Sequence, residues 1–316
     1  MSIVDSGLGT AERLLGSRFL AGKLLPLALA TAASVPVALT AFTADSGRAL
    51  QQWLQSGVAQ QLLTVVWVLL SLAGIAYLLT FCQLPLLRAL EGYWPQRGPI
   101  GTLHRIRTHR HRRRALAGWR TAHELSSRPE DMHGSLLAAK LLAAYPPPTR
   151  LATGCLPTAF GNRLRAAEYY PLERYGIDAV VIWPRLRSLL PQETGDRISA
   201  ARTALEGAVN LLLLSIAYGT AWPFILVIEG GHLVPASLTL LAWPIAWALH
   251  RAALRAAVSY GQELRVAFDL HRYALLRQLE LEIPQDSAEE RRLWDSLNQF
   301  YLRNLPFYPG HSQEPR

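Results

Sequence analysis

The densest cluster of charge in the chain is an arginine- and histidine-rich run from His104 to Arg114. Arginines at this density bind phosphate groups, whether of lipid head groups or of nucleic acid. The run has no interleaved aromatic residues and no recognisable nucleic-acid-binding motif, so we expect no nucleic-acid partner. We predict contact with anionic lipid head groups, with partner docking as the alternative, through Arg105, Arg107, Arg110, Arg112, Arg113 and Arg114.

A second block, residues 161–191, combines carboxylates, arginines, aromatic residues and prolines. Clustered carboxylates can act as general acids and bases when burial raises one pKa. Opposite charges three or four residues apart, such as Arg165 and Glu168, more often form ion pairs on a helix. Asp269 and Arg272 have the same spacing further along the chain. We predict packing or a partner interface rather than catalysis, through Glu168, Glu173, Arg174, Tyr175, Asp178, Trp183, Arg185, Asp269 and Arg272.

A third set of polar residues lies at the ends of apolar runs. Glu206 and Asn210 are one helical turn apart, and His250 and Arg251 follow a later apolar run. Because antiparallel transmembrane helices bring such ends together, the sequence predicts an ion pair between Glu206 and Arg251, with His250 as the alternative partner. Ionisable groups near a membrane are candidates for function, although long side chains reach the interface at low cost.

Several catalytic patterns are missing from the sequence. It contains no phosphate-binding loop, no dinucleotide-binding glycine motif, no zinc-protease motif and no nucleophile elbow. Its two cysteines, Cys82 and Cys155, are too few for a cysteine zinc site. Histidines 104, 109 and 111 could bind a metal, but the surrounding arginines would repel a divalent ion. We therefore expect no catalytic residue, no cofactor and no metal.

Four long apolar runs must position these residues, at 24–44, 62–87, 204–228 and 235–254. A helix needs about 20 apolar residues to cross the hydrocarbon core of a bilayer. The runs carry almost no charge, which lipid burial requires. We predict an all-α integral membrane protein with four transmembrane helices in two hairpins and a helical cytoplasmic domain. A buried helical hairpin in a soluble core is the alternative for 204–254.

The arginines predict the orientation. They are dense before the first run, between the second and third, and after the fourth, whereas the other two links carry almost none. By the positive-inside rule, both termini are cytoplasmic. The predicted organisation is a cytoplasmic interfacial helix (1–23), a first transmembrane hairpin (24–90), a cytoplasmic arginine-rich domain (91–203), a second hairpin (204–254) and a cytoplasmic helical extension with a C-terminal helix (255–316). Lysine is nearly replaced by arginine, which is typical of a GC-rich bacterial genome.

Local patterns predict the polar elements. They indicate an amphipathic helix over 133–144, a helix broken near Pro171, and either a strand or a helical turn over 177–183. A helix without interruption is predicted from about 236 to about 282. Ser287 and Glu290 have the spacing of a capping box that opens the last helix.

The favoured function is that of a multi-pass membrane anchor, or a signalling or scaffold protein, of the bacterial inner membrane. Its cytoplasmic face would bind a protein partner or a second copy of the chain. One alternative is an oligomeric channel or membrane-perturbing effector, lined by Thr64, Ser71, Thr80, Asn210, Ser215 and Thr220. The third hypothesis is a lipid-modifying enzyme that uses carboxylates from 161–178.

Overall fold

The structure is a computed structural model that describes residues 20–41, 51–126, 132–228, 237 and 239–307. Within these ranges the chain forms helices and no strand, so the all-helical part of the predicted fold is confirmed. Most of the predicted interfacial helix, the outer link at 229–235 and most of the C-terminal tail lie outside the described residues.

The helices follow in chain order. A π-helical turn, Leu20–Leu24, continues directly into α1 (Leu25–Ala41). The first half of the chain then contains α2 (Val58–Glu91), α3 (Gly98–Ser126) and α4 (Met132–Ala144). A 3₁₀ turn, Pro148–Arg150, leads to the second half, which contains α5 (Leu151–Gly154), α6 (Ala159–Tyr175), α7 (Ala179–Arg187), α8 (Gln192–Ile228), α9 (Ala242–Gln278) and α10 (Ser287–Arg303).

The chain divides into two compact units. Unit 1 comprises Met1–Leu87 and Arg202–Ala256, and unit 2 comprises Arg88–Ala201 and Ala257–Arg316. Each unit is therefore assembled from two separate stretches of sequence, and α2, α8 and α9 each contribute residues to both.

Unit 1 is rich in apolar side chains that face outward. Two helices among the described residues are long and apolar enough to cross a membrane, within Val58–Tyr77 and Gln192–Ile228. None of the most apolar window of the first is buried. Its Leu63 and Trp67 side chains, for example, are 61% and 67% exposed. The sequence predicts four spans, and these two are the ones that length and composition support.

Inside unit 1, α8 packs on the first helix through small and hydrogen-bonding residues. The Asn210 amide donates to the Gly22 carbonyl at 2.6 Å, and Asn210 is buried. One turn earlier, Gly207 faces the backbone of Ala21, since a Cβ atom added at Gly207 would lie 3.5 Å from the Ala21 carbonyl oxygen. The Tyr218 hydroxyl donates to the Ala33 carbonyl at 3.1 Å. Small residues allow helix backbones to approach closely, which is the packing typical of membrane helices.

Unit 2 has a conventional apolar core. Three helices and the Ile177 loop build it, with α7 contributing Val181, Ile182 and Leu186, α9 contributing Phe268, Leu275 and Leu276, and α10 contributing Trp294 and Leu297. Trp294 is fully buried at its centre. The outer layer adds α4, which packs against both α3 and α6.

Several local predictions meet the structure directly. α4 confirms the helix predicted over 133–144, and α9 confirms a long helix without interruption. Pro171 lies inside α6 and does not break it; the helix ends at Gly176, whose φ of 81° is the left-handed conformation that glycine tolerates. Within the segment 177–183, helix α7 begins at Ala179 and continues through Pro184 to Arg187, so the strand alternative is wrong.

The predicted capping box of α10 is also wrong. The cap is Asp286, one residue earlier, whose carboxylate accepts from the backbone N–H groups of Ala288 and Glu289 at 2.8 and 2.7 Å. These two N–H groups hold the pKa of Asp286 below its usual value. Glu290 therefore does not cap the helix, and it is buried in unit 2.

Candidate functional site

The main polar site of unit 2 is built around the carboxylate of Asp269 on α9. The Tyr175 hydroxyl donates to it at 2.6 Å and the Tyr170 hydroxyl at 3.0 Å, both from α6. The two tyrosine rings meet edge to face, with centroids 6.4 Å apart. Burial, and then the hydrogen bond to Asp269, raises the pKa of Tyr175; burial, and then the charge of Asp269, raises the pKa of Tyr170. Asp269 therefore holds both hydroxyls as donors.

A buried ion pair adjoins this carboxylate and joins α9 to α10. The Arg272 guanidinium donates to Glu290 at 2.7 Å, and these side chains are only 15% and 7% exposed. Glu290 also accepts from the Trp294 indole N–H at 3.4 Å and from the Tyr273 hydroxyl at 3.3 Å. The Arg272 guanidinium lies over the Tyr175 ring at 4.1 Å, which connects the pair to the tyrosines of α6. We call Tyr170, Tyr175, Asp269, Arg272 and Glu290 the α6–α9–α10 network.

The polar groups of this network bond to one another. Each carboxylate already accepts hydrogen bonds from side chains of the same unit, and the guanidinium is both paired and stacked on aromatic rings. Such a satisfied network specifies how helices pack, because an unpaired buried polar group is costly. Acid–base catalysis has a different requirement, namely two groups whose surroundings push their pKa values apart.

A second cluster in unit 2 surrounds Arg165 of α6. Its guanidinium donates to the Tyr93 hydroxyl at 2.8 Å and pairs with Glu168 at 3.2 Å. Burial raises the pKa of Glu168, and likewise that of Glu91, while the charge of Arg165 opposes both shifts. Because the two carboxyls are shifted in the same direction and share one cation, they do not form the divergent pair that acid–base catalysis uses.

Two further residues of the predicted set belong to α7: Asp178 precedes its first residue and Arg185 lies within it. The Asp178 carboxylate caps the helix and accepts from the Val180 N–H at 2.9 Å. The Arg185 guanidinium lies 3.6 Å from the centroid of the Tyr301 ring, which is a close cation–π contact between α7 and α10.

The remaining predicted residues of the 161–191 block contact other parts of unit 2. The Trp183 ring packs on Phe268, with centroids 5.8 Å apart. The Glu173 carboxylate accepts from the Thr149 hydroxyl at 2.9 Å. The backbone carbonyl of Arg174 accepts from Arg291 at 3.4 Å. Of the predicted set, only Tyr175, Asp269 and Arg272 meet in one network.

The arginine run lies on α3, which the sequence does not mark as a helix. Ala115 and Ala122 face the interior of unit 2, and the opposite side carries most of the cations. Five of the six predicted arginines are exposed and Arg112 is half-buried. Among the described residues, none of the six has a carboxylate within 4.0 Å. The cations therefore face outward without compensation.

The histidines of this run do not converge. His111 is half-buried and lies 3.4 Å from the Tyr145 hydroxyl. Burial, and then the charge of Arg114, lowers the pKa of His111. Burial raises the pKa of the neighbouring Cys155 thiol to about 11, so this thiol is a poor nucleophile. No group of three metal-binding side chains occurs among the residues that the structure describes.

The polar residues of unit 1 bond differently from the prediction. The Glu206 carboxylate pairs with Arg202 at 2.9 Å, and the guanidinium of Arg251 lies 5.5 Å from the Trp247 ring centroid. The hydroxyls proposed to line a pore donate to carbonyls of their own helices where the structure gives their bonds, at Thr64, Ser71 and Thr220. The Thr80 side chain is outside the described residues.

Sequence reasoning missed four residues of these sites. Tyr170 belongs to the α6–α9–α10 network, and no local signal in the sequence pairs it with Asp269. Glu290 looks like a capping residue until Asp286 takes that role. Leu103 and Ile106 are 47% and 46% exposed on α3 among the arginines, and their three-residue spacing was the available signal.

Comparison with known proteins adds no relative. The chain matches no family model, no curated protein and no solved structure.

Proposed function

We propose that the chain is a multi-pass anchor of the bacterial inner membrane whose helical domain, unit 2, lies on the cytoplasmic side and serves as a scaffold for a protein partner. The observation that carries this proposal is that no residue of the most apolar window within Val58–Tyr77 is buried. The core helix of a soluble protein would bury such a stretch. Here it needs cover from outside, and lipid is the cover that suits a run of this length.

The proposal includes two further spans. The π-helical turn and α1 form one helical run, Leu20–Ala41, which at 1.5 Å per residue is about 33 Å long and matches a bilayer core. At the start of α9, Trp243 and Trp247 are 47% and 65% exposed. These two tryptophans lie near the middle of the predicted apolar run 235–254 and need apolar cover from outside, which agrees with a fourth span entering α9.

A scaffold role is preferred over an enzyme because of how unit 2 uses its polar groups. In the α6–α9–α10 network and the Arg165 cluster, the carboxylates, phenols and guanidinium groups already bond to one another. What unit 2 leaves exposed is suited to contacts: the cations of α3, and apolar side chains such as Leu270, which is 67% exposed.

Matched cysteine substitutions test the orientation. Gly57 and Gly195 both have open space where a side chain would be added, so Gly57→Cys and Gly195→Cys should fold normally. A membrane-impermeant maleimide should label position 57 in intact cells and position 195 only after the inner membrane is opened. The parent chain, with its own two cysteines, gives the background. Equal labelling of both positions in intact cells, or the reverse order, would show the proposed topology to be wrong.

Crosslinking tests the scaffold role. A photoreactive amino acid at position 270 should give a discrete adduct in native membranes, either with a second copy of the chain or with another protein. The same substitution at position 297, which is buried in unit 2, is the matched control and should give none. Failure at position 270 and at exposed position 302 would contradict partner binding by this part of unit 2.

A further inference from the structure

The outer face of α3 combines two apolar side chains with a frame of arginines. At 3.6 residues per turn, positions 103, 106, 110 and 113 form one line on the side opposite the buried Ala115 and Ala122. Leu103 and Ile106 occupy the first part of this line and Arg110 and Arg113 the second. Arg105 lies on one flank, and Arg107 and Arg114 lie on the other. We call this surface the cationic face of α3.

Over residues 103–114 of α3, this face carries no acidic residue. Glu124 near the end of α3 is the only acidic residue of the helix. The exposed arginines of the run have no ion pair among the described residues. A surface with apolar side chains at one end of its central line, and cations along the rest of that line and on both flanks, is complementary to a layer that is apolar inside and anionic at its edge. An acidic protein surface would match the arginines but not Leu103 and Ile106.

If α2 crosses a membrane, the short link between α2 and α3 keeps the start of α3 near that membrane. The apolar run of α2 extends to Leu87, four residues before the helix ends at Glu91. The link from 92 to 97 can span at most about 20 Å. This link carries Tyr93 and Trp94, aromatic residues of the kind enriched at membrane interfaces. The guanidinium of Arg107 lies 6.0 Å from the Trp94 ring centroid, which places an aromatic residue beside the cationic face.

We propose that α3 is an in-plane amphipathic helix that docks on anionic phospholipid, with Leu103 and Ile106 directed toward the acyl chains and the flanking arginines on head-group phosphates. This inference rests on the proposed function, since the lipid is that of the membrane in which the chain is anchored. It deepens that function by naming the face and the class of lipid.

The experiment uses the full chain in lipid nanodiscs and an environment-sensitive bimane label. Cys82→Ser and Cys155→Ser remove the native thiols, and Ile106→Cys provides the labelling site. The nanodiscs contain phosphatidylcholine alone or with phosphatidylglycerol, in each case with acyl chains brominated to quench a label that reaches them. Leu69→Cys, in the middle of the exposed α2 window, reports whether the chain is inserted at all.

We expect quenching at position 106 only when phosphatidylglycerol is present, and quenching at position 69 in both lipids. Replacing Arg110, Arg113 and Arg114 by Gln should abolish the quenching at position 106, and replacing them by Lys should retain most of it. Raising the salt concentration should weaken the effect, because the attraction to head groups is screened.

The contrary outcomes separate the two proposals. Position 69 quenched and position 106 unquenched in every lipid would overturn lipid docking and leave the anchor intact. Equal quenching at position 106 in both lipids would overturn the requirement for anionic lipid. No quenching at either position would overturn the membrane function itself.

Discussion

Unit 1 and unit 2 are both built from helices, yet they place apolar and polar side chains in opposite ways. In unit 1, the side chains of Leu63 and Trp67 are more than half exposed. In unit 2, Trp294 and the leucines around it are inside, and a tyrosine–carboxylate–arginine network accompanies them. The difference is the one that the proposed membrane anchor requires, with an apolar medium around unit 1 and water around unit 2.

The hydrogen bonds of the two units differ in their acceptors. In unit 1, the hydroxyls of Thr31, Thr64 and Ser71 donate to carbonyls four residues back in their own helices. This local bonding satisfies a polar group without help from solvent. The long-range bonds of unit 1, from Asn210 to Gly22 and from Tyr218 to Ala33, also end on backbone carbonyls. In unit 2, the long-range bond from Tyr170 ends on the carboxylate of Asp269, 99 positions away in sequence.

The largest expected effect comes from breaking the buried ion pair of unit 2. Glu290→Gln leaves the buried guanidinium of Arg272 without its carboxylate, which should cost about 3–5 kcal/mol of unfolding free energy. The matched control is Glu263→Gln in the same unit. Glu263 pairs with Arg197 at 3.7 Å and both are partly exposed, so its loss should cost less than about 1 kcal/mol.

Thermal and denaturant unfolding of the detergent-solubilised protein, followed by tryptophan fluorescence, measures both variants. The combined change Arg272→Met with Glu290→Leu removes both charges and should recover most of the stability. If Glu290→Gln is no more destabilising than Glu263→Gln, the buried pair does not hold α9 and α10 together.

The next prediction compares the surroundings of unit 1 and unit 2 by replacing one exposed leucine of each unit with arginine. Leu69 of α2 and Leu270 of α9 are 58% and 67% exposed, so neither packs in a core. Leu69→Arg places a charge in the middle of an apolar window and should disfavour membrane insertion by about 3 kcal/mol. Leu270→Arg should change stability by less than about 0.5 kcal/mol, because an exposed site in water tolerates charge.

Carbonate extraction of cell membranes measures this pair of variants. The Leu69→Arg chain should be lost from the membrane fraction, and the Leu270→Arg chain should stay in it at the parent level. Equal behaviour of the two variants would mean that α2 and α9 expose their leucines to the same solvent.

Much of the fold could be predicted from periodicity and hydropathy. The positions of α4 and α9 follow from apolar spacing and the lack of proline. Pro171 misleads because the break it predicts assumes that the lost backbone hydrogen bond decides the outcome. In the structure, Pro171 is buried within α6, so tertiary packing outweighs that local cost. Asp286 and Ser287 are both good capping residues, and only the geometry shows which of them caps.

The candidate site was less predictable, for a physical reason. Residues such as Glu168 and Asp269 stand out in sequence because charges among apolar residues need partners. Spacing identifies only partners within the same helix, such as Arg165 for Glu168. The partners of Asp269 are Tyr170 and Tyr175, about a hundred residues away, and nothing local encodes that pairing. Glu206 is the converse case. The sequence predicts the distant Arg251 as its partner, whereas in the structure it pairs with Arg202, four residues away in the same helix.

The smallest of the expected effects is on the pH dependence of stability, and it tests the hydrogen bond from Tyr175 to the carboxylate of Asp269. The pKa of Tyr175 is raised, first by burial and then by its hydrogen bond to Asp269, so folding favours the protonated phenol. Its contribution to stability is complete below the ordinary tyrosine pKa of about 10 and is lost as the pH rises above it. Tyr175→Phe should cost about 1.5 kcal/mol at neutral pH and should make the alkaline loss of stability shallower.

Unfolding of the parent and variant at several values of pH from neutral to strongly alkaline measures this dependence. Tyr301→Phe is the control, because the Tyr301 ring packs under Arg185 outside the Asp269 network, and its pH profile should follow that of the parent. An alkaline limb that is unchanged in Tyr175→Phe would contradict the assignment of this phenol as a donor to Asp269. A shallower limb, combined with a normal membrane fraction, would show that the bond from Tyr175 to Asp269 joins α6 to α9 and is not required for the chain to stay in the membrane.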